Sequence, residues 1–150
     1  MNEPFVALVE EPLRVEDYLT RLPGDSAVPS NTIGAVQWFL GITRGRTEDE
    51  RQIQKTTDLW YEAHATMAIK EMNRLASDAV SRFELQGIVL VHAIGVVPPG
   101  QTSVIVGVAG RHRTPMLDAT AWIMENLKRD VPIWKRETFH DGSQDWIHPQ

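Results

Sequence analysis

Two periods of hydrophobic and polar residues alternate along this chain, and each marks a different kind of element. Phe5 to Val9 is a short uncharged apolar run, which predicts a strand. "PLRVEDYLTRLPG" spaces Leu13, Tyr18, Leu19 and Leu22 as a helix of a few turns would, with Pro23-Gly24 as the stop. "DSAVPSN" reads as loop. "TIGAVQWFLGIT", rich in β-branched and aromatic residues, predicts a long strand. The charged "RGRTEDERQ" reads as a mobile loop and "KTTDLWYEA" as a paired strand. From Ala65 to Phe83 the apolar positions are Ala68, Ile69, Met72, Leu75, Ala76, Ala79, Val80 and Phe83, the spacing of one helix face. "GIVLVHAIG" and "TSVIVGVAG" predict buried strands separated by a turn at "VVPPGQ". "RTPMLDATAWIMENLKRD" predicts a second amphipathic helix, with Thr114 as N-cap, Pro115 at the first helical position and Val131-Pro132 as its end. A last strand covers Ile133 to Thr138, and a polar, loose tail follows. The order β-α-β-β-α-β-β-α-β, without repeats or linkers, predicts one α/β or α+β domain over residues 1–150 with at least one mixed sheet.

Composition narrows the function. At 150 residues, 42% hydrophobic and 23% charged, the chain has the make-up of a globular domain with its own core. A net charge of -5 argues against a general nucleic-acid or membrane-surface binder, although a local basic site remains open. "MNEPFVALVEEPL" lacks the basic start and apolar core of a secretory signal, and no run is apolar for the length of a membrane span. The expected location is the cytoplasm. There is no cysteine, so this chain can form no disulfide, thiol nucleophile or persulfide of its own. The histidines His64, His92, His112, His140 and His148 fall in no ligand-spaced pair, and no metal site is expected.

Four stretches carry candidate chemistry. Arg111, His112 and Arg113 lie between a buried strand and a helix start, where free N–H groups favour anions; they form an anion site or decorate a turn. At about 100° per residue, Leu117, Ala121, Met124 and Lys128 fall within about 60° of one another, so Lys128 prolongs an apolar stripe. Its ammonium either snorkels to water or sits in a partly desolvated pocket, where it exchanges protons readily. In the extended "PIWKRE", Lys135 shares a face with Ile133 and Glu137, opposite Trp134 and Arg136, and turns toward the protein body. Lys128, Lys135 and Arg113 belong to consecutive elements and are expected to meet at one sheet edge. Arg44 follows a strand end, a common place for binding residues. His92, in an apolar strand, reads as a satisfied structural residue. Trp122, among Asp118, Glu125 and Arg129, reads as exposed and as an interface residue.

Together these stretches resemble the large (catalytic) subunit of molybdopterin synthase, the MoaE family. The resemblance runs from about Ile33 to Trp146. It is carried by "GAVQWFLGITR", "LWYEAH" with "MAIKEM", "VHAIGVVPPGQTSVIVGVAGRHR" and, most specifically, "IMENLKRDVPIWKRE". It implies an α/β hammerhead core with a small additional β-rich part. It also implies a sulfurtransferase that converts cyclic pyranopterin monophosphate (precursor Z) into molybdopterin, the dithiolene ligand of the molybdenum cofactor, without a cofactor of its own. The sulfur would arrive as a thiocarboxylate on the C-terminal Gly-Gly of a small ubiquitin-like subunit, in a heterotetramer built on a central homodimer of the large subunit. By this resemblance Lys128 and Lys135 are catalytic, Arg44, His112 and Arg113 hold phosphate and pterin, and Phe39 and Met124 line the pocket. The chain departs from the family at His64, where a tyrosine is usual, and in a tail, "DWIHPQ", shorter than the family often has. The rival expectation is a non-catalytic anion- or nucleotide-binding module using the same basic edge.

Overall fold

The strands of the computed structural model, which describes residues 3–22, 31–48 and 53–147, form two sheets. They are β1 (Phe5–Val9), β2 (Ala35–Ile42), β3 (Arg46–Glu48), β4 (Ile53–Ala63), β5 (Gly87–Ala93), β6 (Gly95–Val97), β7 (Thr102–Gly110), β8 (Ile133–Phe139) and β9 (Gln144–Ile147). The helices are α1 (Ala65–Phe83) and α2 (Arg113–Asp130). The first sheet has the order β1-β5-β7-β2, with β1 parallel to β5 and the other pairs antiparallel. The second runs β3-β4-β8-β9, all antiparallel, and β6 joins it on β4. Mixed helices and strands in two sheets make this an α+β fold.

The two helices pack on each other and on one face of the first sheet, α1 over β1 and β5, α2 over β7 and β2. Burial follows the sequence period. Ala68, Met72, Leu75, Ala76 and Ala79 of α1 are buried, as are Met116, Ala119, Ile123 and Leu127 of α2. β5 and β7 are buried along their whole lengths, which explains why they read as continuous apolar runs rather than alternations. Met72, Leu90, Ile105, Met116 and Ile123 lose essentially all contact with water. Each such side chain favours folding by about 1.5–3 kcal/mol. Two glycines permit close approaches. A Cβ on Gly107 would meet the Trp38 ring, and one on Gly34 would run into the Arg111 carbonyl oxygen at the entry to α2.

Several expectations are corrected. The segment after β1 is not a helix of several turns but two short 3-10 turns, Val15–Asp17 and Leu19–Arg21. Its contacts are tertiary: Leu13 N–H donates to the Thr102 carbonyl, and Tyr18 and Arg21 lie against the Phe5 ring. Those tethers replace an i→i−4 ladder. Arg46–Glu48, expected in a mobile loop, pairs with β4, while 49–52 lie outside the described residues. Val96 and Val97 are strand rather than turn, because the unpaired edge of β4 takes them as β6. The tail is not loose: Gln144–Ile147 returns through the Gly142 turn to pair with β8. α2 starts two residues earlier than that cap implies, with His112 rather than Thr114 at the N-cap and no side-chain cap bond. Pro115 is then the third helical residue, still within the first turn, where its missing N–H costs nothing. α1 begins with a cap the sequence reading did not foresee: the His64 side chain accepts a hydrogen bond from Met67 N–H (3.3 Å). His64 therefore has a structural role here.

Candidate active site

Chain direction determines which candidate residues can meet. Residues 111 and 112 turn β7 directly into α2, so α2 runs back antiparallel to β7 and parallel to β2. The carboxyl ends of β2 and α2 therefore lie at the same end of the layer. β5, antiparallel to β7, also ends there. Arg44 follows β2, Lys128 occupies the last turn of α2, and the short Val131-Pro132 link brings β8 and Lys135 to the same place. The Val131 N–H closes the helix on Leu127, and the Pro132 carbonyl accepts from His64 N–H, which ties this link to the start of α1.

Lys135 is half-buried, on the face of β8 that carries buried Ile133 and Glu137. The face predicted from alternation is thus the observed one. Its amine is held below the ordinary lysine range, chiefly because burial penalises the charged form, then by the positive charge of Lys128; Glu137 opposes this and Arg44 adds to it. Lys128 on α2 and Arg44 after β2 thus both act on the amine of Lys135. Lys128 and Arg44 remain exposed. Phe39 and Met124, both half-buried against the core, lie on the elements that end in Arg44 and Lys128, and Met124 is one turn before Lys128. The lysines on either side of Pro132 converge.

Arg113 and His112 do not join them. Fifteen residues of helix separate Arg113 from Lys128, about 22 Å along the axis. Both are exposed at the opposite end of the layer, beside Gly34. Consecutive elements do not imply adjacent residues when one of them is a helix of 18 residues. The apolar stripe through Lys128 is also not the core face. Leu117 is 54% exposed and Ala121 is exposed, so this stripe is an outward surface that leads to the cationic end. Trp122, expected to be exposed, is half-covered: it stacks edge-on against Phe83 (5.7 Å) with Arg82 over it (5.5 Å).

His92 is buried as expected, and its imidazole Nδ1 donates to the Ala93 carbonyl (2.6 Å). Its pKa falls to about 4, mainly through burial, with the Ala93 bond opposing and the charge of Lys135 adding to the fall. Its ring meets Tyr61 edge-on at 4.9 Å. Sequence reasoning missed Tyr61. The available signal was the alternation of β4, which places Leu59 and Tyr61 inward. Among the described residues, no group of three His, Asp or Glu side chains is arranged to hold a metal ion. None of the helices described is long and apolar enough to cross a membrane.

An α+β chain that brings two lysines and an arginine together where β2 and α2 end and β8 begins is, as a class, a protein equipped to handle an anionic ligand. Comparison with known proteins makes this particular: the family described as "MoaE protein" matches residues 8–130, and the chain belongs to that family. It is 35% identical over 149 residues to the molybdopterin synthase catalytic subunit of Pyrococcus abyssi, covering 98% of this chain and 93% of that one. A crystal structure of molybdopterin synthase from Staphylococcus aureus superposes with a TM-score of 0.78 at 28% identity, covering 98% of each chain. The same fold, at 21% identity and a TM-score of 0.69, occurs in the complex of subunits 1 and 2 of molybdopterin-converting factor from Helicobacter pylori, covering 97% of this chain and 90% of that one.

Proposed function

We propose that this chain is a molybdopterin synthase catalytic subunit and that its cationic sheet end is the sulfur-transfer site. The observation that carries the reading is the convergence of Lys128, Lys135 and Arg44, with Lys135 held below its ordinary pKa. The substrate is cyclic pyranopterin monophosphate. Sulfur comes from a thiocarboxylate at the C-terminal Gly-Gly of a small ubiquitin-like partner, which fits a catalytic chain that contains no cysteine. A two-subunit complex of the same fold supports such a partner.

In each transfer the thiocarboxylate sulfur forms a C–S bond to the substrate side chain as a C–O bond there breaks, giving an acyl thioester between carrier and substrate. The oxygen leaves as water in one transfer and stays on the ring-opened phosphate in the other. Water then adds to the acyl carbon; the carrier leaves as a carboxylate and the sulfur stays on the substrate. Two such transfers and opening of the cyclic phosphate give the dithiolene. Arg44 and Lys128 stabilise negative charge on the phosphate and on the tetrahedral oxyanion. Lys135, whose neutral amine is more accessible than an ordinary lysine's, takes a proton from the attacking water and returns it to the leaving sulfur.

His112 and Arg113 are too distant to join that site within one chain. In the homodimer we propose, a second copy supplies them, so that each site draws its lysines from one chain and its phosphate clamp from the other. Reconstitution with thiocarboxylated partner and substrate tests the whole reading. Wild type forms dithiolene product, Lys128→Ala and Arg113→Ala each form almost none, and an equal mixture of the two variants, exchanged into mixed dimers, recovers part of the activity. A folded wild-type chain that gives no product with an active carrier would refute the assignment; variants that fail to complement would refute the shared site.

A further inference from the structure

The residue across the sheet from Lys135 is Tyr61. In the antiparallel register of β4 and β8 the two are direct partners, so their side chains leave the same face about 5 Å apart. Tyr61 is buried and hydrogen-bonds Ser103, whose hydroxyl donates to the Gly41 carbonyl (3.2 Å). Behind it stands His92, fixed by its bond to Ala93 and meeting the Tyr61 ring edge-on. On the other flank of β8, Lys135 is paired with Ile147 of β9. Both aromatic groups are neutral near pH 7, since burial raises the pKa of Tyr61 and lowers that of His92. The charged groups acting on Lys135 come from elsewhere: Lys128 on α2, Arg44 after β2, and Glu137 on β8 itself.

We propose that Tyr61 and His92 are positioning residues for Lys135, forming an uncharged aromatic wall that supports its methylene stem and keeps water from one side of its amine. The link to sulfur transfer rests on the function proposed above; the wall itself does not. Without it the ammonium would be rehydrated, its neutral fraction near pH 7 would shrink, and the proton transfer assigned to Lys135 would slow while Lys128 and Arg44 kept their charges. A tyrosine or histidine of purely structural value would change stability and leave the lysine's titration where it was.

The chain has only four lysines, Lys55, Lys70, Lys128 and Lys135, so a 13Cε-lysine spectrum resolves each and Lys135→Arg assigns one. In the wild type, Lys135 is expected to titrate below the ordinary lysine range. Tyr61→Ser moves it up toward that range and lowers sulfur transfer at neutral pH roughly tenfold, with the pH dependence of transfer shifted in the same direction. Tyr61→Phe, which keeps the ring, restores both. His92→Gln supplies a second opening of the wall should Tyr61→Ser fail to fold, with the same expected rise. A Lys135 titration unchanged in a folded Tyr61→Ser or His92→Gln chain would overturn the proposal. Shifted titration in a wild-type chain that transfers no sulfur would uphold the wall and refute only the assigned chemistry.

Discussion

Acid should destabilise this fold through His92 in particular. The imidazole is buried and neutral, with a pKa of about 4 against 6.5 when the chain is unfolded. Between those values the unfolded state binds a proton that the folded state refuses, so stability falls as pH falls through the window from 6.5 to about 4. Above 6.5 neither state is protonated and the term vanishes. The full difference corresponds to about 3 kcal/mol, of which about 2.5 kcal/mol is expressed between pH 7.5 and 4.5. The aspartates Asp130 and Asp141, lowered by Arg129 and by Ser143 respectively, add acid sensitivity of their own, but at exposed positions away from His92. A double difference removes them: urea unfolding followed by tryptophan fluorescence at the two pH values, for the wild type and for His92→Gln. The variant will be less stable at pH 7.5, and its further loss on acidification should be smaller than the wild type's by about 2.5 kcal/mol. An identical pH dependence in the two chains would refute the claim that His92 is held neutral by burial.

Other substitutions test the packing and the site. Met72→Ala, at a position with no exposure, should cost about 2–5 kcal/mol in the same unfolding assay, by lost burial plus the cavity left behind. Glu84 caps α1 with φ of 52°, in the left-handed region; Glu84→Gly should therefore raise stability by about 1 kcal/mol, read as a higher urea midpoint with unchanged slope. Gly34→Ala should displace the Arg111 carbonyl and the start of α2, lowering stability by about 1–3 kcal/mol. Lys128→Arg keeps the charge but replaces a compact ammonium by a planar fork, and should leave substrate binding within about threefold while product formation falls at least about a hundredfold.

Elements whose burial follows a single period were legible. α1 was bounded from its spacing alone, and β5 and β7 from their unbroken apolar runs. Legibility failed where a tertiary partner overrides local preference. The Leu13–Leu22 stretch has helical spacing but is tied to Thr102 and Phe5, and β6 and β9 are short segments made into strands only by the neighbours they complete. At the site, the inward face of Lys135 followed from alternation, whereas the apolar stripe through Lys128 misled because a helical stripe does not say whether it meets the core or a ligand. Periodicity is blind to length along the axis, which is why Arg113 was grouped with residues at the far end of its own helix. Tyr61 was hidden because its importance lies in register, and register between β4, which ends at Ala63, and β8, which begins at Ile133, is set across the 69 residues between them.

The most direct test of the central claim follows the carrier. Intact-mass spectrometry of the small subunit, taken during a single turnover with substrate present, reports conversion of its terminal thiocarboxylate to carboxylate. The wild type should convert it together with product formation, while Lys135→Ala and Lys128→Ala should retain the thiocarboxylate or accumulate the carrier–substrate thioester. Conversion by both variants at the wild-type rate would contradict the account, because the chemistry would then not reside at the convergence of the two lysines.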